Sequence, residues 1–531
     1  MDASPTRRTT LLQALMTRRN LTREKTVQLL AERARTMGVP NFSLELRQLD
    51  RLLAGQFVDG PRASTRQVLE AEFDFPIDLL LGPEDRVALA GGRSMFGEEN
   101  RRVLRSAGFV TWLAERSGTD LESVYAFVAE TAEQLAALPV ATRAAHDHAR
   151  AALPRSTVAA AVQRYYDSPA EHFYKARVAG ASSTEDLAIS LSVLTEPRWI
   201  GLGVPLDAEH ERPQLTRDPD ASAIRMTPPV FLAAVNRLAA VEVGDSVLVD
   251  NPLYRLLELD INAQHVEPTF GLTTFAAYAL TTDLMETELV NSLVDHPDRA
   301  LSELPVRDEY LPTIQSATAF AQRICAGGPA CLLSIARAEE DDYLLIVQQR
   351  SRRVLNATGR LAVLPKAFHQ PLSASEVHDR ALSATLNREL EEELLGRVEL
   401  DQISPEARRR LAPGHSSTRS EPMRWFDDHP NAYLLQCTGF GINMLSGNYE
   451  VACLAIIDDP SWWTAYGGTL QTNWEVDQSL SYSTRDPDAL LRLIADPRWS
   501  DEGLFALLEG LRCLHRHCPE KVHLPSIEVT L

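Results

Sequence analysis

A change of hydrophobic period part-way along constrains this 531-residue chain more than any other feature. Up to about Leu153 apolar residues recur at helical spacing, whereas beyond Pro329 they gather into runs of strand length. The early segments include "TTLLQALMTRRNLTREKTVQLLAERARTMGV" and "DLESVYAFVAETAEQLAAL", whose apolar positions share one side of a helix. The late runs are "ACLLSIARAE", "DYLLIVQQRS", "NAYLLQCTGFGINM" and "NYEVACLAIIDD". The acidic turn from Glu339 to Asp342 joins the first two as a hairpin. Such a chain is too long for one ordinary domain and too varied for one structural class.

Charge divides the chain in a similar way. The net charge of −20 argues against a protein coated in nucleic acid. Residues 1–72 nevertheless hold 12 Lys/Arg against 8 Asp/Glu, a net of +4, so the other 459 residues carry −24. A small basic module leads a large acidic body. No apolar run approaches the roughly 18 residues that span a bilayer. The start "MDASPTRRTT" lacks the apolar centre of a signal peptide, so the expected compartment is cytoplasmic, with no membrane partner. Six cysteines in a chain of this size are too few for a disulfide framework and are expected to be reduced.

Within the basic module, Thr22 is placed to N-cap a second helix. The following segment, "SLELRQLDRLLAG", predicts a third helix with Ser43 as its cap, Leu46, Leu49, Leu52 and Leu53 inward, and Gly55 at its end. Its other side offers Glu45, Arg47, Gln48 and Arg51. "STRQVLEAEF" and "FPIDLLLG" supply two short closing helices. From Thr9 to Gly82 the segment resembles the N-terminal module of Xre-type helix-turn-helix regulators, most clearly in "RQLDRLLAGQ" and "GPRASTRQVLEAEFDFPIDLLLG". The resemblance implies double-stranded DNA as partner, with Arg47, Gln48 and Arg51 approaching bases and Arg62 and Arg66 holding phosphates. It also implies a homodimer, because operators are commonly two-fold. The stretch from Leu29 to Ser43 departs from the minimal motif by exceeding its tight turn.

The C-terminal third carries "LNRELEEELLG", Leu386 to Gly396, between its two strand pairs. Positions i, i+3 and i+4 share a helix face, so Glu389, Glu392 and Glu393 converge, a grouping that suits a hard divalent cation. Read from periodicity alone, the segment is equally a surface helix with Leu386, Leu390 and Leu394 buried and its glutamates in water. The order of strands, acidic helix, strands and final helix resembles the Nudix fold. Arg388, Glu389, Leu390, Glu392 and Glu393 match the R-E-U-x-E-E core of that family's box, where U is aliphatic. The resemblance implies Mg²⁺ held by Glu389, Glu392 and Glu393, with Glu392 the catalytic candidate. Arg388 and His369 would then face a nucleotide-like ligand. Several positions depart from the pattern: Ala374 stands for the box's first Gly, Arg380 for its first Glu and Leu395 for its late Gly, with Gly396 one residue along. The loop usually written Pro-Gly-Gly reads Pro365-Lys366-Ala367. These losses favour a fold retained without its hydrolysis. Near the C-terminus, "CLHRHC" (Cys513 to Cys518) places two cysteines and two histidines together, without the paired spacing of a structural zinc site.

The expected fold class is multidomain. It comprises an all-α helix-turn-helix domain (1–85), a helical linker or dimerisation segment (86–153), a mixed α/β middle region (154–310) and an α/β Nudix-like sandwich (311–531). The middle region contains no Walker loop, Rossmann fingerprint, HExxH or nucleophile elbow, and its Tyr165, Tyr166, Trp199 and Tyr254 read as core. The expected function is a DNA-binding transcriptional regulator whose body senses a nucleotide or phosphorylated metabolite. The alternative is a Mg²⁺-dependent Nudix hydrolase of nucleoside diphosphate derivatives.

Overall fold

The computed structural model describes residues 10–81 and 106–531, apart from 11, 14–15, 17–21, 38, 40–41, 54–60, 74–76, 167–171, 181–185, 217–223, 225, 245–247, 298–300, 351–358, 372–379, 396–418 and 471–475. The chain divides into two compact units, Met1–Val103 and Leu104–Leu531.

The first unit is helical, with helices Arg23–Thr36, Leu46–Leu53, Ala63–Phe73 and Ile77–Leu80. Thr22 caps the first of these, its hydroxyl accepting from the Lys25 N–H at 3.2 Å. The third-helix segment starts later than its sequence suggests. Glu45, not Ser43, immediately precedes Leu46–Leu53, and the Gln48 side chain reaches back to accept from the Glu45 N–H at 3.0 Å. Leu46 consequently lies outward, 42% exposed, while Leu49, Leu52 and Leu53 are buried. They pack with Leu30, Val68 and Phe73 into a core belonging to this unit alone. Gly55 lies outside the described residues.

The second unit is built on one large mixed sheet. Its strands are β1 (Phe173–Ala179), β2 (Leu187–Leu194), β3 (Val204–Pro205), β4 (Gln214–Leu215), β5 (Pro252–Ile261), β6 (Val266–Thr274), β7 (Gly327–Arg337), β8 (Asp342–Arg350), β9 (Leu361–Val363), β10 (Tyr433–Asn443), β11 (Asn448–Ile457), β12 (Val476–Ser483) and β13 (Ser526–Thr530). The large sheet runs β12-β8-β7-β11-β10-β2-β1-β13, with β9 added to β8 and β3 to β10. β4, β6 and β5 form a separate small sheet. β7 and β8 make the expected hairpin, with Asp341 in its turn at φ 48°.

The central strands β7 and β11 pair in parallel and are buried along nearly their whole length, as a sheet covered on both faces requires. Alternation then sorts their side chains. Cys331, Leu333, Val451 and Cys453 pack with Leu382, Leu386, Leu390 and Leu394 of the glutamate helix, Leu382–Leu394. Ala330, Leu332, Ala452 and Leu454 pack on the other face with Leu504, Leu507, Leu508 and Leu511 of the C-terminal helix, Asp501–His517. That helix comes close enough for a Cβ added at Gly510 to meet the Leu332 Cβ at 2.9 Å.

This sheet crosses the boundary expected near residue 310. β2 and β3, from the expected middle region, pair directly with β10, and β1 receives the C-terminal strand β13. The alanine-rich helices Ala107–Ser117 and Leu121–Ala137, expected as linker, contribute Phe109, Leu113, Val124 and Val128 to the same core as the glutamate helix. Burial on both sides of the sheet needs more cover than residues 311–531 alone provide.

A segment from Pro365 to His369 runs antiparallel beside the start of β7, through Cys331 N–H to Pro365 O (2.9 Å), Ala367 N–H to Pro329 O (3.3 Å) and His369 N–H to Gly327 O (2.8 Å). It lies so close that a Cβ at Gly328 would meet the Ala367 carbonyl oxygen at 2.1 Å. We therefore expect Gly328→Ala to cost about 2 kcal/mol or more of stability, because backbone must move to admit a methyl group. The shift in denaturant midpoint at unchanged m-value measures it.

Candidate functional site

The glutamate helix is fixed at its start by a carboxylate from far away in sequence. Glu211 accepts from the Leu382 N–H, the Ser383 N–H (3.3 Å) and the Ser383 hydroxyl (2.7 Å), satisfying donors that an α-helix leaves open at its N-terminus. Burial raises the Glu211 pKa, and these hydrogen bonds pull it back. Further along, Glu391 receives the Ser420 N–H on both oxygens at 3.0 Å. Arg388, only 4% exposed, lies 3.3 Å from Glu389 and donates to the Gln370 carbonyl at 3.3 Å.

Leu386, Leu390 and Leu394 are buried as the surface-helix reading requires, but that reading fails for the glutamates. Glu391, Glu392 and Glu393 are 2%, 6% and 0% exposed, so they do not face water. Neither do Glu389, Glu392 and Glu393 form a ready cage. Among the described residues, the one group of three such side chains with ligand atoms within 4.8 Å of one another is Asp260, His265 and Glu267, at the β5–β6 turn. Arg380 is half-buried, and it meets His369 through its carbonyl. Ala374 and Gly396 lie outside the described residues.

His369 is fully buried. Its Nδ1 lies 2.8 Å from the Thr385 hydroxyl and its Nε2 2.9 Å from the Arg380 carbonyl. A carbonyl only accepts, so Nε2 carries the proton and Nδ1 accepts from Thr385. The ring lies 4.5 Å from Tyr254 and 4.8 Å from Phe270, centroid to centroid. Burial, aided by the nearby Arg388 charge, pushes its pKa down to about 3. In this conformation His369 ties the Pro365–His369 segment to the glutamate helix and to the β5–β6 hairpin.

The opposite face of the sheet holds a second polar centre that spacing in the sequence did not reveal. Lys366 donates to Glu502 at 2.6 Å, and the Asn443 amide reaches the other Glu502 oxygen at 3.3 Å. Glu502 sits in the first turn of the C-terminal helix, whose cap is Ser500. Burial opposes its charge most strongly, but Lys366 together with hydrogen bonds from the Glu502 N–H and Ser500 outweighs it and lowers the pKa. Glu450 on β11 is 6% exposed and pushed up to about 8, by burial first and then by Glu502 and Glu286. Glu286, on helix Leu284–Asp295, is pushed up to about 7 by burial and by Asp283 and Glu502. Asp283 itself is held by Arg237 at 2.6 Å and by the Tyr278 hydroxyl at 2.8 Å. Lys366 was visible in the sequence only as a departure from the Nudix loop. Nothing in the local pattern marked Glu450 or Glu502.

In the first unit, Arg47 and Arg51 are exposed on one side of helix Leu46–Leu53, and Arg62 is exposed just before helix Ala63–Phe73. Gln48 is half-buried and engaged in capping, and Arg66 is half-buried. At the C-terminus, Cys513 packs in the core with its thiol 3.4 Å from Gln436, His515 contacts the Val522 carbonyl, and His517 lies 3.5 Å from Asp458. All six cysteines are buried and free. No helix among the described residues is long and apolar enough to cross a membrane.

Two expectations follow. Glu286 and Glu450 have folded pKa values above their unfolded value of 4.5, so the stability they confer is fully present below that value. It is lost as pH rises through about 7 and about 8. Between pH 6 and 8 each group therefore lowers stability by up to about 1.4 kcal/mol per pH unit, and Glu450→Gln should flatten the decline in denaturant melts. The His369 ring should stay neutral from pH 5 to 8, so its nitrogen NMR shifts should not titrate over that range. Neither a known family model nor any curated protein matches the chain, so its functional reading rests on the residues themselves.

Proposed function

We propose that this chain is a DNA-binding transcriptional regulator whose large acidic body senses a nucleotide or phosphorylated metabolite. The observation that carries the reading is the construction of the first unit. A net-basic helical module has its own core, and its helix Leu46–Leu53 buries Leu49, Leu52 and Leu53 while leaving Arg47 and Arg51 in solvent. A helix anchored in that way offers guanidinium groups to the major groove, with the exposed Arg62 available to phosphates and the half-buried Arg66 nearby in the sequence. Gln48 is engaged in capping in this conformation, so base contact by Gln48 would require it to leave the Glu45 N–H.

On this reading the Nudix-like helix serves as architecture and as a sensing wall. A ligand there controls DNA binding only through unequal affinity for the DNA-competent and incompetent states. The hydrolase reading draws support from the intact Arg388-Glu389-Leu390 and Glu392-Glu393 pattern. The burial of Glu392 and Glu393 and the loss of acidic character at Arg380 weigh against it. The site's chemistry suits Mg²⁺ as a hard cation on oxygen ligands.

A gel-shift assay of the intact protein against the promoter of its own gene tests the proposal. Arg47→Ala and Arg51→Ala should each weaken specific binding by about 1–3 kcal/mol, and Arg62→Ala should weaken it evenly across sequences. Absence of any shift by the wild-type protein at low salt contradicts the proposal. Incubation with Mg²⁺ and a panel of nucleoside diphosphate derivatives should give no turnover. Turnover abolished by Glu392→Gln would establish the hydrolase instead.

A further inference from the structure

The turn end of the small sheet gathers metal-ligand side chains away from both polar centres described above. β5 and β6 meet at the turn Asn262–His265, where the Asn262 N–H donates to the His265 carbonyl at 3.1 Å. Their register sets Asp260 directly opposite Glu267, with the buried pair Ile261 and Val266 next to the turn. Side chains alternate along a strand, so Asp260 and Glu267 lie on the side away from Ile261 and Val266, and His265, two positions before Glu267, lies with them. Two carboxylates directly opposite each other repel. Arg212 answers only one of them, donating to Glu267 at 2.9 Å. Among the described residues no Lys or Arg pairs with Asp260, whose partner is His265 at 3.1 Å.

The Nε2 of His265 faces two incompatible neighbours. Asn262 Oδ1 accepts from the Gln264 N–H (2.8 Å) and the His265 N–H (3.3 Å), so the amide nitrogen is left to meet Nε2, at 3.0 Å. An amide nitrogen only donates, which calls for an unprotonated Nε2. That nitrogen then stands 3.1 Å from an Asp260 oxygen, two acceptors with no proton between them. A protonated Nε2 suits Asp260 but opposes the amide N–H. A cation shared by Nε2 and Asp260 satisfies both acceptors and leaves the half-buried Asn262 amide to turn toward solvent. The spacing fits as well, since ligand atoms about 2.0–2.2 Å from one ion lie roughly 3.0–3.5 Å from each other. Glu267 brings an oxygen within 4.8 Å of both atoms, a gap that rotation of its half-buried side chain closes.

We propose that Asp260, His265 and Glu267 bind a divalent transition-metal ion of the zinc class, with water completing its coordination. The imidazole nitrogen decides the class, because Mg²⁺ and Ca²⁺ take oxygen ligands. Three protein ligands, one of them the exposed Asp260, leave a position open to water. The ion ties β5 to β6 at their turn. Through Arg212 on Glu267 it also reaches the neighbouring segment, whose Arg212 N–H donates to the Val266 carbonyl at 3.0 Å. Glu211 in that segment holds the start of the glutamate helix, and Tyr254 and Phe270 of the same hairpin pack on His369. The ion therefore stiffens the support of the glutamate helix from outside. This site goes beyond the regulator reading and depends neither on DNA binding nor on the glutamates of that helix.

Calorimetric titration of the full chain with Zn²⁺, Mn²⁺ and Mg²⁺, paired with thermal melts in the presence and absence of Zn²⁺, tests this. We expect Zn²⁺ to bind saturably and to raise the melting temperature as its concentration passes the Kd, and Mg²⁺ at equal concentration to do neither. His265→Ala, Asp260→Asn and Glu267→Gln should each weaken Zn²⁺ binding by about tenfold or more and remove the Zn²⁺-dependent rise in melting temperature. Asp260 is exposed, so Asp260→Asn carries the test if either other variant does not fold. Absence of saturable Zn²⁺ binding overturns the proposal. So does Zn²⁺ binding that any folded variant of the three retains unchanged, which places the ion on other side chains. Mg²⁺ binding as tight as that of Zn²⁺ overturns it in favour of a site made of oxygen ligands alone.

Discussion

The parallel pairing of β7 with β11 is the constraint on which the second unit depends. It joins the β7–β8 hairpin to the β10–β11 hairpin over a register that runs unbroken from Gly327–Tyr449 to Ile335–Ile457. Because side chains alternate along a strand, that register decides which residues meet the glutamate helix and which meet the C-terminal helix. A slip of one residue would exchange them. The same register sets Tyr449 toward Phe270, and Glu450 toward Lys366 and Glu502. Neighbours in sequence thus serve opposite faces with opposite chemistry.

One face is largely aromatic and aliphatic where it meets the Pro365–His369 segment. His369 is held neutral by burial, by a carbonyl and by a hydroxyl, among Tyr254 and Phe270. The other face concentrates acid and base. There Lys366 fixes Glu502 as a charged pair, so repulsion falls on Glu450 and Glu286, which retain protons to unusually high pH. Removing Lys366 would leave Glu502 as a buried charge without its partner, a costlier state than the loss of one surface ion pair. The close approach at Gly328 holds the Lys366 backbone against β7 and so sets where that charge stands.

Features set by local spacing were legible in the sequence. The Thr22 cap, the β7–β8 turn and the Leu386, Leu390 and Leu394 stripe follow from residues within a few positions of one another. Features set by distant partners were not. The glutamate helix is capped by Glu211, 171 positions earlier, and Glu502 pairs with Lys366 across 136 positions. Period tells which face of an element is apolar and leaves open what covers it. For that reason β1–β3 and the helices from Ala107 to Ala137 read as separate regions, although they share a sheet and a core with the C-terminal third. The helix start at Leu46 shows the same limit at short range: Ser43 is the better cap by residue type, yet the Gln48 side chain places the start after Glu45.

In the proposed function the acidic body senses and the basic unit reads DNA, so DNA binding is an electrostatic matter as well as a structural one. On the proposed function, like-charged DNA and body repel, so DNA binding would come from the small basic unit through release of counterions. The most direct measurement is the salt dependence of full-length protein binding to promoter DNA, followed by fluorescence anisotropy. With about four arginines per subunit at the DNA, the account predicts a log–log slope of roughly −3 to −4 per bound subunit. Affinity that does not change with salt, or no binding at the lowest salt, would contradict it.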